Sequence, residues 1–111
     1  MNDWRDQEVR NETRSRDRNE WIEGIRSEMG GEGSTETYVC ECGDAACVER
    51  IHLTRPEYEA VRAYSTRFAI AVDHENPEID QLVTERGGYS VVQKIAGRPA
   101  RIARQTDHRH E

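Results

Sequence analysis

The chain has 111 residues, of which 34% are hydrophobic and 34% are charged, and its formal net charge at pH 7 is −6. This length fits one domain, and the low apolar content excludes a large hydrophobic core. The acidic balance argues against nucleic acid as a partner, and the lack of a signal peptide or a long apolar run leads us to expect a cytoplasmic protein without membrane contact.

The N-terminal segment, residues 1–31, is predicted to form a long polar helix with frayed first turns. Its apolar positions are spaced i, i+1, i+4 and i+8, which places them on one face of a helix: Trp21, Ile22, Ile25 and Met29. Gly30-Gly31 is expected to end the helix and to begin a linker. We expect the apolar stripe to dock on the rest of the domain, and the alternative is that it contacts another protein.

Residues 32–96 hold most of the apolar side chains and are predicted to form a small α+β core. Residues 36–40 have strand character, and residues 48–53 alternate apolar and polar side chains as a half-buried strand does. Thr54 then begins a helix as its N-cap, and Glu57 completes a capping box. The helix is expected to end near residue 64 and to face the sheet through Tyr58, Ala60, Val61 and Tyr64.

The second half of this core is predicted to be mainly β structure. Residues 68–72 form a continuous apolar run that is typical of a buried strand, and residues 73–77 break the pattern as a loop. Residues 79–86 fit one face of a helix, but the Gly87-Gly88 pair and the residues after it fit a β-hairpin, which we favour. Residues 97–111 are basic with little to bury, which predicts either a short helix or a loose, flexible tail.

All three cysteines of the chain fall within eight residues, as Cys40, Cys42 and Cys47. Thiolates and imidazoles are the ligands that Zn²⁺ prefers, usually four in a tetrahedron. Gly43 is expected to let the backbone curl around a metal through a positive φ, and a short turn then returns Cys47 to the same centre. The spacing predicts a zinc knuckle, whose metal stabilises a domain with a weak core.

A closed tetrahedral site needs a fourth ligand, for which His52 and His74 are the nearby candidates. His52 alternates with two apolar neighbours in its predicted strand, so its side chain is expected to point to solvent. His74 follows a buried strand and lies beside Asp73 and Glu75, which can orient an imidazole. We therefore favour a site that consists of Cys40, Cys42, Cys47 and His74. His108 and His110 lie in the basic tail and are expected to be bystanders.

Two other uses of the thiols stay open. Cys42 and Cys47 are candidates for a redox pair, but such a pair needs nearby positive charge or a helix N-terminus, and the sequence around them is acidic. A catalytic zinc with only three cysteine ligands would need a general base. Glu41 and Glu75 are candidates for that base, although both are more simply interpreted as surface charges.

Five short motifs stand out beyond the cysteines: Arg18-Asn19-Glu20 with Ile25, VCECGDAACVERIHLT at 39–54, EYEAVR at 57–62, FAIAVDHE at 68–75 and YSVVQK at 89–94. Together they resemble a group of short, uncharacterised actinobacterial proteins. The resemblance implies that His74 is the ligand, because His74-Glu75 belongs to the shared pattern and His52 lies outside it. Two differences are Val72-Asp73, where the group is expected to have Pro-Gly, and Gln93, where it is expected to have an acid.

These observations predict a small α+β protein with a structural zinc site made of three cysteines and one histidine. We expect it to act as a protein-interaction or regulatory module, with another protein as partner, contacted through the N-terminal helix. A thiolate-based zinc or redox sensor is the alternative function, and an enzyme with an open zinc site held by the three cysteines alone is a further one.

Overall fold

A long helix, two small antiparallel sheets and two short helices make up the fold. The computed structural model describes residues 4–29, 35–107 and 109, with the backbone alone for residues 26–29. In chain order the elements are α1 (Trp4–Met29), β1 (Thr35–Val39), β2 (Arg50–Thr54), α2 (Arg55–Arg62), β3 (Arg67–Ile70), β4 (Asp80–Glu85), β5 (Ser90–Lys94) and α3 (Arg98–Gln105). The predicted α+β class and the long N-terminal helix are confirmed.

Some sequence predictions fall outside this description. Gly30-Gly31, His108 and His110 are not among the described residues. Within the part of the chain that is described, none of the helices has the length and apolar character that crossing a membrane requires.

Strands β1 and β2 form the first sheet and pack one face on the core. They pair antiparallel, with Tyr38 opposite Ile51. Strand β2 begins at Arg50 rather than at residue 48, and Val48 before it is 80% exposed. From Ile51 onward the predicted alternation is confirmed, because Ile51 and Leu53 are buried while His52 is exposed. The ring of Tyr38 stacks on that of Tyr58 in α2, with centroids 4.5 Å apart, which joins this sheet to the helix that follows it.

Helix α2 begins as predicted but buries different residues on one side. The backbone N–H of Glu57 donates to the Thr54 hydroxyl at 3.2 Å, and the backbone N–H of Thr54 donates to the Glu57 carboxylate at 2.7 Å, which completes the capping box. The helix ends at Arg62 rather than near Tyr64. Tyr58 and Val61 are buried, but the prediction that Ala60 and Tyr64 face the sheet is wrong. Arg62 takes part of that face instead.

The second sheet has the strand order β3-β5-β4, with all pairs antiparallel. The hairpin of β4 and β5 is confirmed, and its turn is closed by the backbone N–H of Arg86 donating to the carbonyl of Tyr89 at 2.8 Å. Strand β3 is buried as predicted, but it ends at Ile70, so Val72 lies beyond it and is exposed.

The face of α1 that packs on the domain is polar, which corrects the prediction that its apolar stripe would dock. Trp21 is 68% exposed and Ile25 is 40% exposed, Ile22 is half-buried, and the side chain of Met29 lies outside the described residues. The buried side chains of α1 repeat at helical spacing and are polar or charged except for one valine: Asp6, Val9, Glu12, Thr13, Arg16, Asn19 and Glu23. Ion pairs and hydrogen bonds therefore hold this helix in place.

Residues 98–107 show which alternative holds for the basic C-terminal segment. Helix α3 buries Ala100, Ile102 and Ala103, and Asp107 beyond it pairs with Arg62 of α2 at 2.7 Å. The segment is therefore a short packed helix from Arg98 to Gln105, and Asp107 after it is held by its ion pair with Arg62.

Candidate metal centre

The side chains of the three cysteines and His74 converge at one point. One ligand atom from each of Cys40, Cys42, Cys47 and His74 lies within 4.8 Å of all the others. The Nδ1 atom of His74 is 3.5 Å from Cys40 Sγ and 3.7 Å from Cys47 Sγ. In a tetrahedral zinc site with ordinary bond lengths, sulfur and nitrogen ligands are about 3.6 Å apart. The four side chains are therefore spaced as ligands of one metal ion would be.

The cysteine segment is held by backbone hydrogen bonds on both sides of the cluster. The N–H of Cys40 donates to the carbonyl of Glu49 at 3.2 Å, which extends the pairing of β1 and β2. The N–H of Ala71, just after β3, donates to Cys40 Sγ at 3.1 Å. A turn then carries the chain back, with the N–H of Cys47 donating to the carbonyl of Asp44 at 3.0 Å. Amide donors of this kind hold a sulfur ligand in one orientation.

Gly43 is needed because α1 passes close to it. A Cβ atom at this position would lie 2.9 Å from the Cγ atom and 3.0 Å from the carbonyl oxygen of Glu8. The predicted positive φ is wrong, because Gly97 is the glycine that has one among the described residues. Asn11, one turn after Glu8, donates from its side chain to the Gly43 carbonyl at 3.0 Å. The long helix is thus one wall of the site.

His74 reaches the sulfurs from a tight turn after β3. Asp73 has a φ of 71°, in the left-handed region, and the N–H of His74 donates to the carbonyl of Ala71 at 3.1 Å. Asp tolerates this conformation better than most residues do. The predicted orientation of the imidazole by Asp73 or Glu75 is not seen, since the described side chains form no such hydrogen bond. The backbone turn positions the ring instead.

Hydrogen bonding among the thiols separates their pKa values. The hydrogen bond with Cys40 lowers the pKa of Cys42 to about 5, and the same bond, together with burial, raises the pKa of Cys40. Burial also raises the pKa of Cys47. The lowered pKa of Cys42 favours its thiolate, which is the form of cysteine that binds a metal.

Glu41, between the first two cysteines, is fully buried, which corrects its interpretation as a surface charge. Its carboxylate accepts hydrogen bonds from the side-chain amide of Asn19 (2.8 Å), the hydroxyl of Tyr58 (2.7 Å) and the backbone N–H of Ala69 (3.0 Å). Those donors belong to α1, α2 and β3. Glu41 therefore anchors the cysteine segment to the core and is not free to act as a general base.

The role of Glu41 was not predicted, although the sequence contains a signal for it. In extended backbone, alternate side chains point to opposite sides. If Cys40 and Cys42 face a metal, the residue between them must face away from it, which here is toward the interior.

The other histidine candidate lies away from the cluster. His52 is exposed on β2, and its Nδ1 atom is 3.2 Å from the Thr37 hydroxyl on the neighbouring strand. It is not among the side chains that converge with the cysteines.

The fold also brings positive charge near the thiols, which the order of residues in the sequence does not show. Arg14 and Arg18 of α1 line a recess whose opposite wall includes Cys47. Positive charge therefore lies beside Cys47, whereas the recess beside Cys42 is lined by the acidic residues Glu8, Glu12 and Asp80.

Comparison of the chain with protein-family models, with curated proteins and with solved structures finds no match. The interpretation of the site therefore depends on its own geometry and chemistry.

Proposed function

We propose that the protein binds one zinc ion through Cys40, Cys42, Cys47 and His74 and that this ion is structural. The observation that carries the proposal is the convergence of three sulfur atoms and one imidazole nitrogen within 4.8 Å. Three thiolates and one imidazole form one of the standard ligand sets of structural zinc sites, and four protein ligands leave no open position for a substrate.

The donor set also favours zinc over other ions. Hard cations such as Mg²⁺ and Ca²⁺ take oxygen ligands, and here the converging atoms are sulfur and nitrogen. A mononuclear iron site made only of thiolates would need a fourth cysteine, and the chain has three.

A metal at this position would add a second link between parts of the chain that already share one hydrophobic core. Cys40 to Cys47 connect β1 to β2, and His74 lies in the loop between β3 and β4. The two sheets are separate, so a shared ion would be a direct link between them. Because a bound metal stabilises only the folded state, its binding free energy adds to the stability of the fold.

The test compares the two histidines in the purified protein. We expect about one zinc per chain by elemental analysis, and we expect His74→Ala to weaken zinc binding at least tenfold and to lower the unfolding temperature. His52→Ala is the matched control, because His52 is exposed and outside the cluster, and it should match the parent protein. Freely titratable thiols in a protein without zinc, or equal zinc affinity for both variants, would contradict the proposal.

We further propose that the exposed face of α1 is a contact surface for another protein. Trp21 and Ile25 remain exposed after the domain has folded, and exposed apolar groups of this size often mark interaction sites. On the same solvent side and toward the N-terminus lie three exposed arginines, at a spacing of four residues: Arg10, Arg14 and Arg18. A chain of net charge −6 that presents such a row fits an acidic partner with an apolar anchor.

The contact proposal is tested with a paired substitution that leaves the buried face of α1 intact. Trp21→Ser with Ile25→Ser should abolish the capture of one or more acidic proteins that the parent protein retains. Trp4→Ser, at the other end of the helix, is the control and should retain them. The proposal of an acidic protein partner would be contradicted if the parent and both variants captured the same proteins. It would also be contradicted if the Trp21→Ser/Ile25→Ser substitution changed the oligomeric state of the protein alone in sedimentation.

A further inference from the structure

The three sulfur atoms of the candidate metal centre differ in their access to solvent. Cys40 and Cys42 are 5% and 6% exposed, whereas Cys47 is only partly buried. The Sγ atom of Cys40 also accepts a hydrogen bond from the N–H of Ala71. Cys47 therefore offers the sulfur that a small molecule from solvent meets first.

Cys47 lines a recess of about 130 Å³ between α1 and the turn at residues 44–47. A water molecule occupies about 30 Å³ in the liquid, so the recess has room for a small polar molecule. Arg14 and Arg18 line the same recess, as does Asp44, whose carboxylate accepts a hydrogen bond from the backbone N–H of Ala46 at 2.9 Å. Neither guanidinium forms an ion pair or hydrogen bond with another described residue. Other arginines of the fold, such as Arg16 and Arg62, form hydrogen bonds or ion pairs with described residues.

The contacts of the described residues give no structural reason for Arg14 and Arg18. Like charges four residues apart on a helix repel each other and destabilise it slightly. The chain contains 22 acidic residues, yet none of those described pairs with Arg14 or Arg18. Two unpaired cations beside a sulfur ligand are suited to stabilising negative charge that develops there during a reaction.

We propose that Cys47 is the residue at which a hydroperoxide oxidises the zinc centre, that Arg14 and Arg18 promote this step, and that the oxidation releases the metal. This inference rests on the proposed zinc site. It identifies the substrate as a small hydroperoxide, with hydrogen peroxide as the simplest member of the class. Zinc would then stay bound only while the cysteines are reduced.

The first step is attack by the Cys47 thiolate, which is the form in which a cysteine would bind zinc, on one oxygen of hydrogen peroxide. A sulfur–oxygen bond forms, the oxygen–oxygen bond breaks, and hydroxide leaves, so the sulfur loses two electrons to the peroxide and becomes a sulfenic acid. The guanidinium groups of Arg14 and Arg18 donate hydrogen bonds in the recess and stabilise the charge on the leaving hydroxide. The hydroxide then takes a proton from solvent.

The second step forms a disulfide within the cluster. The Cys42 thiolate attacks the sulfur of the oxidised Cys47, a sulfur–sulfur bond forms, and the sulfur–oxygen bond breaks with loss of a second hydroxide. The Sγ atoms of Cys42 and Cys47 lie within 4.8 Å of each other. The ion then retains only Cys40 and His74 as ligands, and it dissociates.

The experiment follows zinc release and the site of oxidation in the same zinc-loaded protein. Hydrogen peroxide is added, a chromogenic chelator reports free zinc, and a sulfenic-acid reagent with peptide mass spectrometry locates the first oxidised cysteine. We expect Cys47 to be labelled first and a Cys42–Cys47 disulfide to follow. We expect Arg14→Gln with Arg18→Gln to slow zinc release roughly tenfold, and Arg14→Lys with Arg18→Lys to retain most of the rate because the charge remains.

Arg10→Gln is the matched control for this test. Arg10 is exposed on the same helix one turn before Arg14 but does not line the recess, so its loss should leave the rate unchanged. Three outcomes would overturn this inference alone. They are an equal rate of zinc release for the Arg14→Gln/Arg18→Gln variant and the parent, first labelling at Cys40 or Cys42, and zinc that stays bound after peroxide is added. Absence of zinc before peroxide is added would overturn the zinc proposal as well.

Discussion

Glu41 illustrates how a single side chain connects the metal centre to the fold. Its neighbours Cys40 and Cys42 face the cluster, and its own carboxylate is buried against three donors from α1, α2 and β3. Burial raises the pKa of Glu41, while the hydrogen bonds from Asn19 and Tyr58 act in the opposite direction. A buried carboxylate is tolerated when its oxygens are satisfied in this way.

Replacing Glu41 by glutamine should therefore destabilise the protein and weaken its zinc site. A glutamine has one acceptor oxygen where the carboxylate has two, so at least one of the three buried donors loses its partner. We expect the free energy of unfolding to fall by about 2–3 kcal/mol and the zinc affinity to fall with it, measured by urea denaturation and by competition with a chelator.

Glu49→Gln is the control for this substitution, because Glu49 is an exposed acid in the same loop. Its free energy of unfolding should stay within about 0.5 kcal/mol of the parent value. If Glu41→Gln were as stable as this control, Glu41 would not anchor the cysteine segment.

The residues of the candidate metal site were predictable from sequence to different degrees. The cysteine spacing and the alternation around His52 are local patterns, and they lead to the four side chains that the structure brings together. Glu41 was interpreted wrongly because its burial depends on donors 17 to 28 residues away in the chain. The nearness of Arg14 to Cys47 likewise depends on how α1 packs, which no local pattern specifies.

At the scale of the elements, local signals were sufficient where the sequence contains its own turn or cap chemistry. The capping box at Thr54 predicted the start of α2, and Gly87-Gly88 predicted the hairpin of β4 and β5. The docked face of α1 was predicted wrongly, because a periodic apolar pattern usually marks the buried face of a helix. Here the apolar Trp21 faces solvent and the charged Arg16 is buried.

Arg16 shows why a polar helix face can pack in this domain. Its guanidinium donates to the carbonyl oxygens of Ser65 (2.6 Å) and Ala103 (3.1 Å) and lies 4.6 Å from the ring centroid of Phe68. Ser65 follows α2, Ala103 lies in α3 and Phe68 lies in β3. One side chain therefore contacts three parts of the chain. Asn19 adds a pair of hydrogen bonds to the backbone of Val39 at the end of β1, both 2.9 Å long. Directional contacts of this kind fix the orientation of the helix.

For the molecule as a whole, buried ionic groups take the place of part of the hydrophobic core. Lys94 of β5 contacts Glu12 of α1 and Asp80 of β4, and all three side chains are almost fully buried. Arg62 of α2 contacts Glu20 of α1 and Asp107. Buried ion pairs contribute less net stability than apolar packing does, but removing one partner is costly. The fold of this chain should therefore respond to pH more than that of a domain with an apolar core.

Glu12 provides the clearest case, because burial raises its pKa to about 8 even though Lys94 opposes the shift. The charged groups that face it are Glu8 on its own helix, Asp80 on β4 and Lys94 on β5. Since the folded protein holds this proton more tightly than the unfolded chain, the associated stability is fully present below the unfolded pKa of 4.5. It is lost as the pH rises through about 8.

We therefore expect the parent protein, measured in saturating zinc, to lose on the order of 2 kcal/mol of unfolding free energy between about pH 6 and pH 9 through Glu12. Glu12→Gln keeps an oxygen acceptor for Lys94 but cannot titrate. Its free energy of unfolding should therefore fall by about 2 kcal/mol less than that of the parent over the same pH interval. Contributions from the cysteines and from Glu23, whose pKa burial also raises to about 8, are common to both proteins and cancel in the difference. Urea denaturation at each pH measures that difference, and parallel curves for the two proteins would show that Glu12 is ionised in the folded state, with Lys94 balancing two carboxylates instead of one.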